Sequence, residues 1–522
     1  MKKSFLAASF LFVVAALGFA GDFSLRLLPS YGVLLDNHPL NNPLSIGLSA
    51  DIAPFTIRGR DTVYLGLQGN YVPLKARGIS GLQLINGDIA LGYNLTVIDR
   101  LTLGLEGYVG LWTVPDNKEM GLEGEKGISY GGRFTTYFNV IPELSLGAFA
   151  GYNTFYNGKE YFIKNVDLGL ALKYSFTKGL FASTDIITVE EELQPIFPVF
   201  YSRYSETGFG KMVFVNNEKN DISDVEVSVF IEQYMVNPDV CATFDKVKRG
   251  DSFEAELTCF LNESVLNNLV AEKADAKITV SYKSLGKKMT YSQTVELQAL
   301  NRNSMTWEDD RRAAAFVSPR DGTANYFANF VKNTVKDSLR SNVPENIQYA
   351  AAMFSTLKMF GINYVIDPSS AFTDNTGTGQ VDFLQFPYQT LLYSGGDCDD
   401  LSILNCSLLE AIGIETAFIT CPGHIFIAFD AGVPVEQAAK AGDCIVMNGK
   451  VWVPLEITLC QDTFALERST AMREWKKYPK ERALIPLKDA WQEYKPVGIP
   501  DSSVKIDMPS RSKIITGFKN AF

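Results

Sequence analysis

The chain has 522 residues, with 48 Lys and Arg against 59 Asp and Glu, two histidines and seven cysteines. That length allows about three domains with separate cores. A formal charge of −11, with no Lys/Arg cluster, argues against nucleic acid or anionic lipid headgroups as partners.

Residues 1–20 open with Lys2 and Lys3, run through FLAASFLFVVAAL and end in Gly18, Phe19 and Ala20. Charged, apolar and small-residue parts in that order predict a secretory signal, with a mature chain from Gly21. A membrane-spanning helix is the alternative, but the run is shorter than the roughly 20 residues a bilayer needs. No Cys follows the small residues, so no N-terminal lipid anchor is expected. Seven cysteines in an exported chain leave at least one thiol unpaired within it.

From Ser24 to Phe176 the sequence alternates strictly in eight segments, 24–35, 44–56, 63–75, 82–98, 101–114, 128–140, 144–156 and 166–176. Period two means strands with unlike faces. In the fifth, Leu101, Leu103, Leu105, Val109 and Leu111 share one side, opposite Thr102, Gly104, Glu106, Tyr108 and Gly110. The polar face carries Arg26, Asp51, Asp88, Glu106, Arg133, Asp167 and Lys173, a near-balanced set suited to a narrow lumen closed by ion pairs.

A soluble barrel with its apolar side inward would alternate in the same way. Lipid outside is favoured by the export signal, the even strand count, the terminal pair Tyr174 and Phe176, and the loop parity: VIDRL and VIPEL are short turns, whereas PDNKEMGLEGEKG and NGKEYFIKN are longer. The terminal aromatic strand resembles that of bacterial outer-membrane proteins, and a small barrel followed by a further domain resembles the plan of the OmpA class. The resemblance implies an eight-stranded transmembrane barrel over residues 21–180 in contact with outer-membrane lipid. Eight strands leave an interior filled by side chains, not a channel.

Pro195 and Pro198 mark a boundary. Beyond it the alternation Val225, Val227, Val229, Ile231 and the stretch KITVSYKSLGKKMTYSQTVELQAL predict hairpins. Strand content and length over 190–305 fit an immunoglobulin-like β-sandwich, which we expect to act as a spacer. Cys241 and Cys259 stand in segments that could be neighbouring strands, and a disulfide between them is a hypothesis for an oxidising compartment.

Residues 306–490 turn helical in NYFANFVKNTVKDSL and ENIQYAAAMFSTLKMFGI. In GGDCDDLSILNCSLLEAIG, Gly395 and Gly396 allow a tight approach, Cys398 opens a helix and Gly413 marks its end. A helix N-terminus favours a thiolate. Asp397, Asp399 and Asp400 would oppose it if they pointed at the sulfur, and we expect them to face away and, with Gly396, to fix the loop. One nearby His and scattered Cys make no zinc set, and no metal or cofactor is expected.

A catalytic Cys needs a base. His38 falls in a barrel loop, which leaves His424, just before the alternating strand IFIAF. Glu456, in KVWVPLEIT, is the candidate acceptor for its other ring nitrogen. Cys406, Cys421, Cys444 and Cys460 read as core thiols or disulfide partners, and Trp452 as core.

The three blocks GGDCDDLSILNCSLLEAIGI, PGHIFIAF and WVPLEIT, with QFPYQTLL upstream, resemble the Cys, His and acid blocks of the transglutaminase-like superfamily over residues 340–460. The third member there is commonly Asp; here it is Glu456, one methylene longer. The resemblance implies a papain-like α+β fold and acyl transfer from an amide through a thioester on Cys398, with the Cys398 N–H and, speculatively, Gln385 as oxyanion donors. The substrate would be a peptide or protein of the periplasmic envelope. The alternative is an inactive binding or scaffolding domain of the same shape. Residues 491–522 read as a C-terminal tail.

Overall fold

The computed structural model describes residues 22–36, 40–57, 61–76, 79–116, 123–176, 186–366, 380–499 and 502–521. The predicted signal (1–20) and His38 lie outside them.

Eight antiparallel strands close into a barrel: β1 (Asp22–Leu34), β2 (Leu44–Ile57), β3 (Asp61–Ala76), β4 (Ile79–Ile98), β5 (Leu101–Val114), β6 (Glu125–Ile141), β7 (Leu144–Tyr156) and β8 (Tyr161–Phe176). Closure comes from β1 pairing with β8, Phe23 opposite Phe176 and Leu27 opposite Leu172. The alternation places its apolar side outward: Leu105, Val109 and Leu111 are exposed while Glu106 and Tyr108 are buried. Strand β8 starts five residues before the predicted 166, since Phe162 stacks on Trp112 and Ile163 is buried. The loop before it therefore shrinks to residues 157–160.

The lumen is held by charge. Arg26 bonds Asp51 at 2.6 Å and Glu106 at 2.8 Å, and Arg133 bonds the other oxygen of Glu106 at 2.6 Å. Tyr64 donates to Glu106 at 2.5 Å, and Asp88 accepts from Ser129 and Asn86. Two small cavities, about 130 and 20 Å³, lie on either side of this layer.

A second β unit follows: β9 (Ile186–Leu193), β10 (Gly210–Asn216), β11 (Ile222–Ile231), β12 (Asp239–Val247), β13 (Ser252–Glu256), β14 (Glu272–Ser284) and β15 (Lys287–Ala299). They form a three-stranded sheet, β13-β10-β9, and a four-stranded sheet, β12-β11-β14-β15. Val225, Val227, Val229 and Ile231 are buried between them with Ile278 and Val280. The unit takes in Ile186–Leu193, upstream of the predicted proline boundary, because β9 pairs with β10. Cys241 and Cys259 are free thiols, and the Cys241 sulfur donates to the Val227 carbonyl at 3.4 Å. The expected bridge is thus not formed in this structure. The short turns of the barrel meet this unit: Asp99 accepts from the Asp221 N–H at 3.2 Å, Arg100 donates to the Leu285 carbonyl at 3.2 Å, and Lys287 bonds Glu143 at 2.5 Å.

The third region is α+β. Helices α1 (Gly322–Val335), α2 (Glu345–Phe360), α3 (Pro387–Tyr393), α4 (Cys398–Glu410), α5 (Phe464–Lys477) and α6 (Arg511–Asn520) surround strands β16 (Thr416–Cys421), β17 (His424–Asp430), β18 (Ile445–Met447), β19 (Lys450–Leu455) and β20 (Ala483–Pro486). The sheet order is β18-β19-β17-β16-β20. Helix α4 is central, packed on β16, β17, α1 and α3. The predicted tail is part of this core: α6 packs on α1 and α2, with Ile514 and Phe518 buried.

Candidate active site

Asp397 caps α4, its side chain accepting from the Asp400 N–H, so Cys398 is the first helical residue. Gly396, just upstream, has no room for a side chain, because a Cβ there would lie 2.4 Å from that of Asp400. Residues Gly395–Gly396 pair in parallel with Asn363–Tyr364.

His424 opens β17, and Glu456 directly follows β19, its neighbour in the sheet. The His424 Nε2 and Glu456 Oε2 are 2.8 Å apart. Glu456 is held on its other oxygen by the Thr458 hydroxyl at 2.6 Å and N–H at 3.3 Å. A bond through Nε2 leaves Nδ1 as the nitrogen available for a second partner. Helix α4 packs on β17 and on the turn that follows Glu456. The three predicted blocks thus converge on one end of α4.

Electrostatics differ from the expectation. Burial, with the Asp397 and Glu456 carboxylates adding to it, pushes the Cys398 thiol up to about 12. Asp397, whose side chain turns to the Asp400 N–H as the cap of α4, still lies in electrostatic range of the sulfur. The thiol is only 1% exposed. Burial and a hydrogen bond with Asp397 hold Asp399 well above the usual carboxylate range. Burial and Asp397 push Asp400 up to about 7. Oxygens of Asp397, Asp399 and Asp400 lie within 4.8 Å of one another. Each is engaged in the helix start, and we assign no metal role.

Gln385 enters this network by its backbone, whose N–H donates to Asp400 at 2.7 Å. Its side-chain Oε1 is buried without a hydrogen-bond partner. Cys406, Cys421, Cys444 and Cys460 are free thiols, and Trp452 is buried. Sequence reasoning missed three neighbours. Thr458 fixes Glu456; Cys421, opposite His424 in the β16–β17 hairpin, donates to the His424 carbonyl at 3.6 Å. Tyr364 lies in electrostatic range of Cys398, Asp397, Asp399 and Glu456. A Thr two residues after the acid was a readable signal; Tyr364 carried none.

No protein-family model matches the chain, and no curated protein matches it significantly. Among solved structures it is similar to Neisserial surface protein A (15% identity, 30% of this chain, 96% of that one, TM-score 0.24). It is also similar to the attachment invasion locus protein Ail of Yersinia pestis (15%, 30% and 97%, TM-score 0.23). A third similarity is to the N-terminal β-barrel domain of Pseudomonas aeruginosa OprF (10%, 30% and 99%, TM-score 0.21).

Proposed function

We propose that this chain is a transglutaminase-like, cysteine-dependent acyl transferase or amidase, held at the periplasmic face of the outer membrane by its barrel. The observation that carries the chemistry is the 2.8 Å His424–Glu456 bond, with the Glu456 carboxylate in electrostatic range of the Cys398 thiol at a helix start. In this reading the resting Cys398 sulfur carries its proton. As the sulfur attacks an amide carbonyl, its proton passes to His424, and Glu456 stabilises the imidazolium. His424 then protonates the leaving amine, and water or a second amine resolves the thioester.

The membrane anchor is supported by physics. An exterior exposing Leu48, Ile89, Leu105, Leu111 and Leu170 over a closed set of strands suits hydrocarbon, where backbone groups have no water to satisfy them. The sandwich, which we read as immunoglobulin-like, spaces the third domain from that barrel.

The test uses the full chain in detergent with short envelope peptides, followed by intact mass. The reading expects a peptidyl adduct on the native chain that is absent from Cys398→Ala. Equal spectra would remove the chemistry and leave the architecture. A scaffolding role is the second reading, and the deep burial of Cys398 favours it.

A further inference from the structure

Acyl transfer at Cys398 faces an electrostatic obstacle. Attack on a carbonyl carbon drives an electron pair onto the oxygen, yet the charged groups acting on the sulfur are the carboxylates Asp397 and Glu456. Negative charge develops there at lower cost where preorganised hydrogen-bond donors face the oxygen. The Cys398 N–H is one. The Gln385 backbone N–H is given to Asp400 at 2.7 Å, which leaves its side-chain amide as the group that could serve as a second.

Tyr364 is placed to be another. Its two-residue strand is tied to the Cys block by the Asn363 N–H to the Ser394 carbonyl at 3.1 Å and the Val365 N–H to the Gly396 carbonyl at 2.9 Å. Its neighbourhood is tied to the segment after Glu456 by Gln461, which donates to the Ile362 carbonyl at 2.6 Å. The tyrosine stands where the Cys and acid blocks meet, opposite Gly396 and within electrostatic range of the Cys398 thiol, and at 39% exposed it also faces the solvent from which a substrate arrives. Burial and the surrounding thiol and carboxylates push its phenol up to about 12, which keeps the O–H a donor through neutral pH.

We propose that the Tyr364 hydroxyl donates a hydrogen bond to the substrate carbonyl oxygen as Cys398 attacks, and with the Cys398 N–H forms the oxyanion site. The proposal rests on the acyl-transfer reading and adds a residue to it. In the step, the S–C bond forms, the carbonyl π pair moves to oxygen, and the thiol proton goes to His424. Collapse then restores the carbonyl, and the leaving group departs with its bonding pair.

Two small reagents separate this role from a structural one. Acetylation of Cys398 by 4-nitrophenyl acetate passes through an oxyanion and releases 4-nitrophenolate. Alkylation by iodoacetamide is a displacement at carbon with no oxyanion and releases iodide. Both are read at Cys398 by peptide mass on the full chain in detergent. Tyr364→Phe should slow acetylation roughly 100-fold and leave alkylation unchanged. Acetylation as fast as in the native chain, or both rates falling together, overturns the proposal. A native Cys398 that takes neither reagent, while other thiols do, overturns the acyl-transfer reading itself.

Discussion

In the barrel lumen Arg26 and Arg133 bond three carboxylate oxygens of Asp51 and Glu106 within 2.8 Å. At the start of α4, by contrast, Asp397, Asp399 and Asp400 accept hydrogen bonds from backbone N–H groups. Both places bury charge, but the first balances it with cations and the second by retaining a proton. A balanced interior needs nothing further and serves to hold a shape. An interior with excess acid responds to pH and to whatever enters it, which is where chemistry or ligand recognition is expected.

Removing one partner should hurt most where the balance is complete. Glu106→Ala leaves two buried guanidiniums short of a partner and should cost the barrel about 3–5 kcal/mol, read as a lower urea midpoint of the barrel in micelles. An unchanged midpoint would mean that water or other lumen groups replace Glu106. At the acidic site the steric limit comes next. Gly396→Ala forces a Cβ against Asp400 and should cost about 1–3 kcal/mol, visible as a lower thermal midpoint of the third domain.

Glu456→Gln keeps an acceptor for His424 but loses the charge that stabilises an imidazolium. Acetylation of Cys398 should fall about tenfold, or 1.4 kcal/mol, with the fold intact. The smallest effect is a slope. Asp400 is pushed up to about 7 from the ordinary 3.8 by burial and Asp397, so the folded domain holds a proton that the unfolded chain has released. Its contribution to stability is full below about pH 4 and is lost as pH rises through about 7. Asp400→Asn should flatten that part of the domain's stability profile by about 1 kcal/mol or more; a profile unaltered by the substitution would place the proton elsewhere.

The same contrast explains what the sequence disclosed. Period-two alternation reads as strand, and each of the eight predicted segments lies in a barrel strand, although β8 begins five residues earlier than predicted and the sign needed the exposure of Leu105 and Leu111 to decide it. The ion pairs among Arg26, Asp51, Glu106 and Arg133 followed, because charges on one face of a narrow barrel have nowhere else to go. At the candidate site the helix start at Cys398 and the His424–Glu456 partnership were legible from local order. The raised carboxyls of Asp399 and Asp400 were not, since they depend on how tightly the loop packs the three acids together. Tyr364 was illegible for a similar reason: only a two-residue strand pairing brings it to Gly396. The folding of residues 511–520 onto α1 and α2 also went unread, because Ile514, Ile515 and Phe518 are the few apolar residues of a short, otherwise polar segment.

The account stands on Cys398 and His424 acting as a unit. Its most direct test is the rate of iodoacetamide alkylation at Cys398 in the native chain and in His424→Ala, followed from pH 6 to 9 with Cys444 as the internal reference thiol. We expect the histidine substitution to slow alkylation of Cys398 at neutral pH by about tenfold or more and to leave Cys444 unaffected. Identical Cys398 rates in the two proteins across that range would contradict the account.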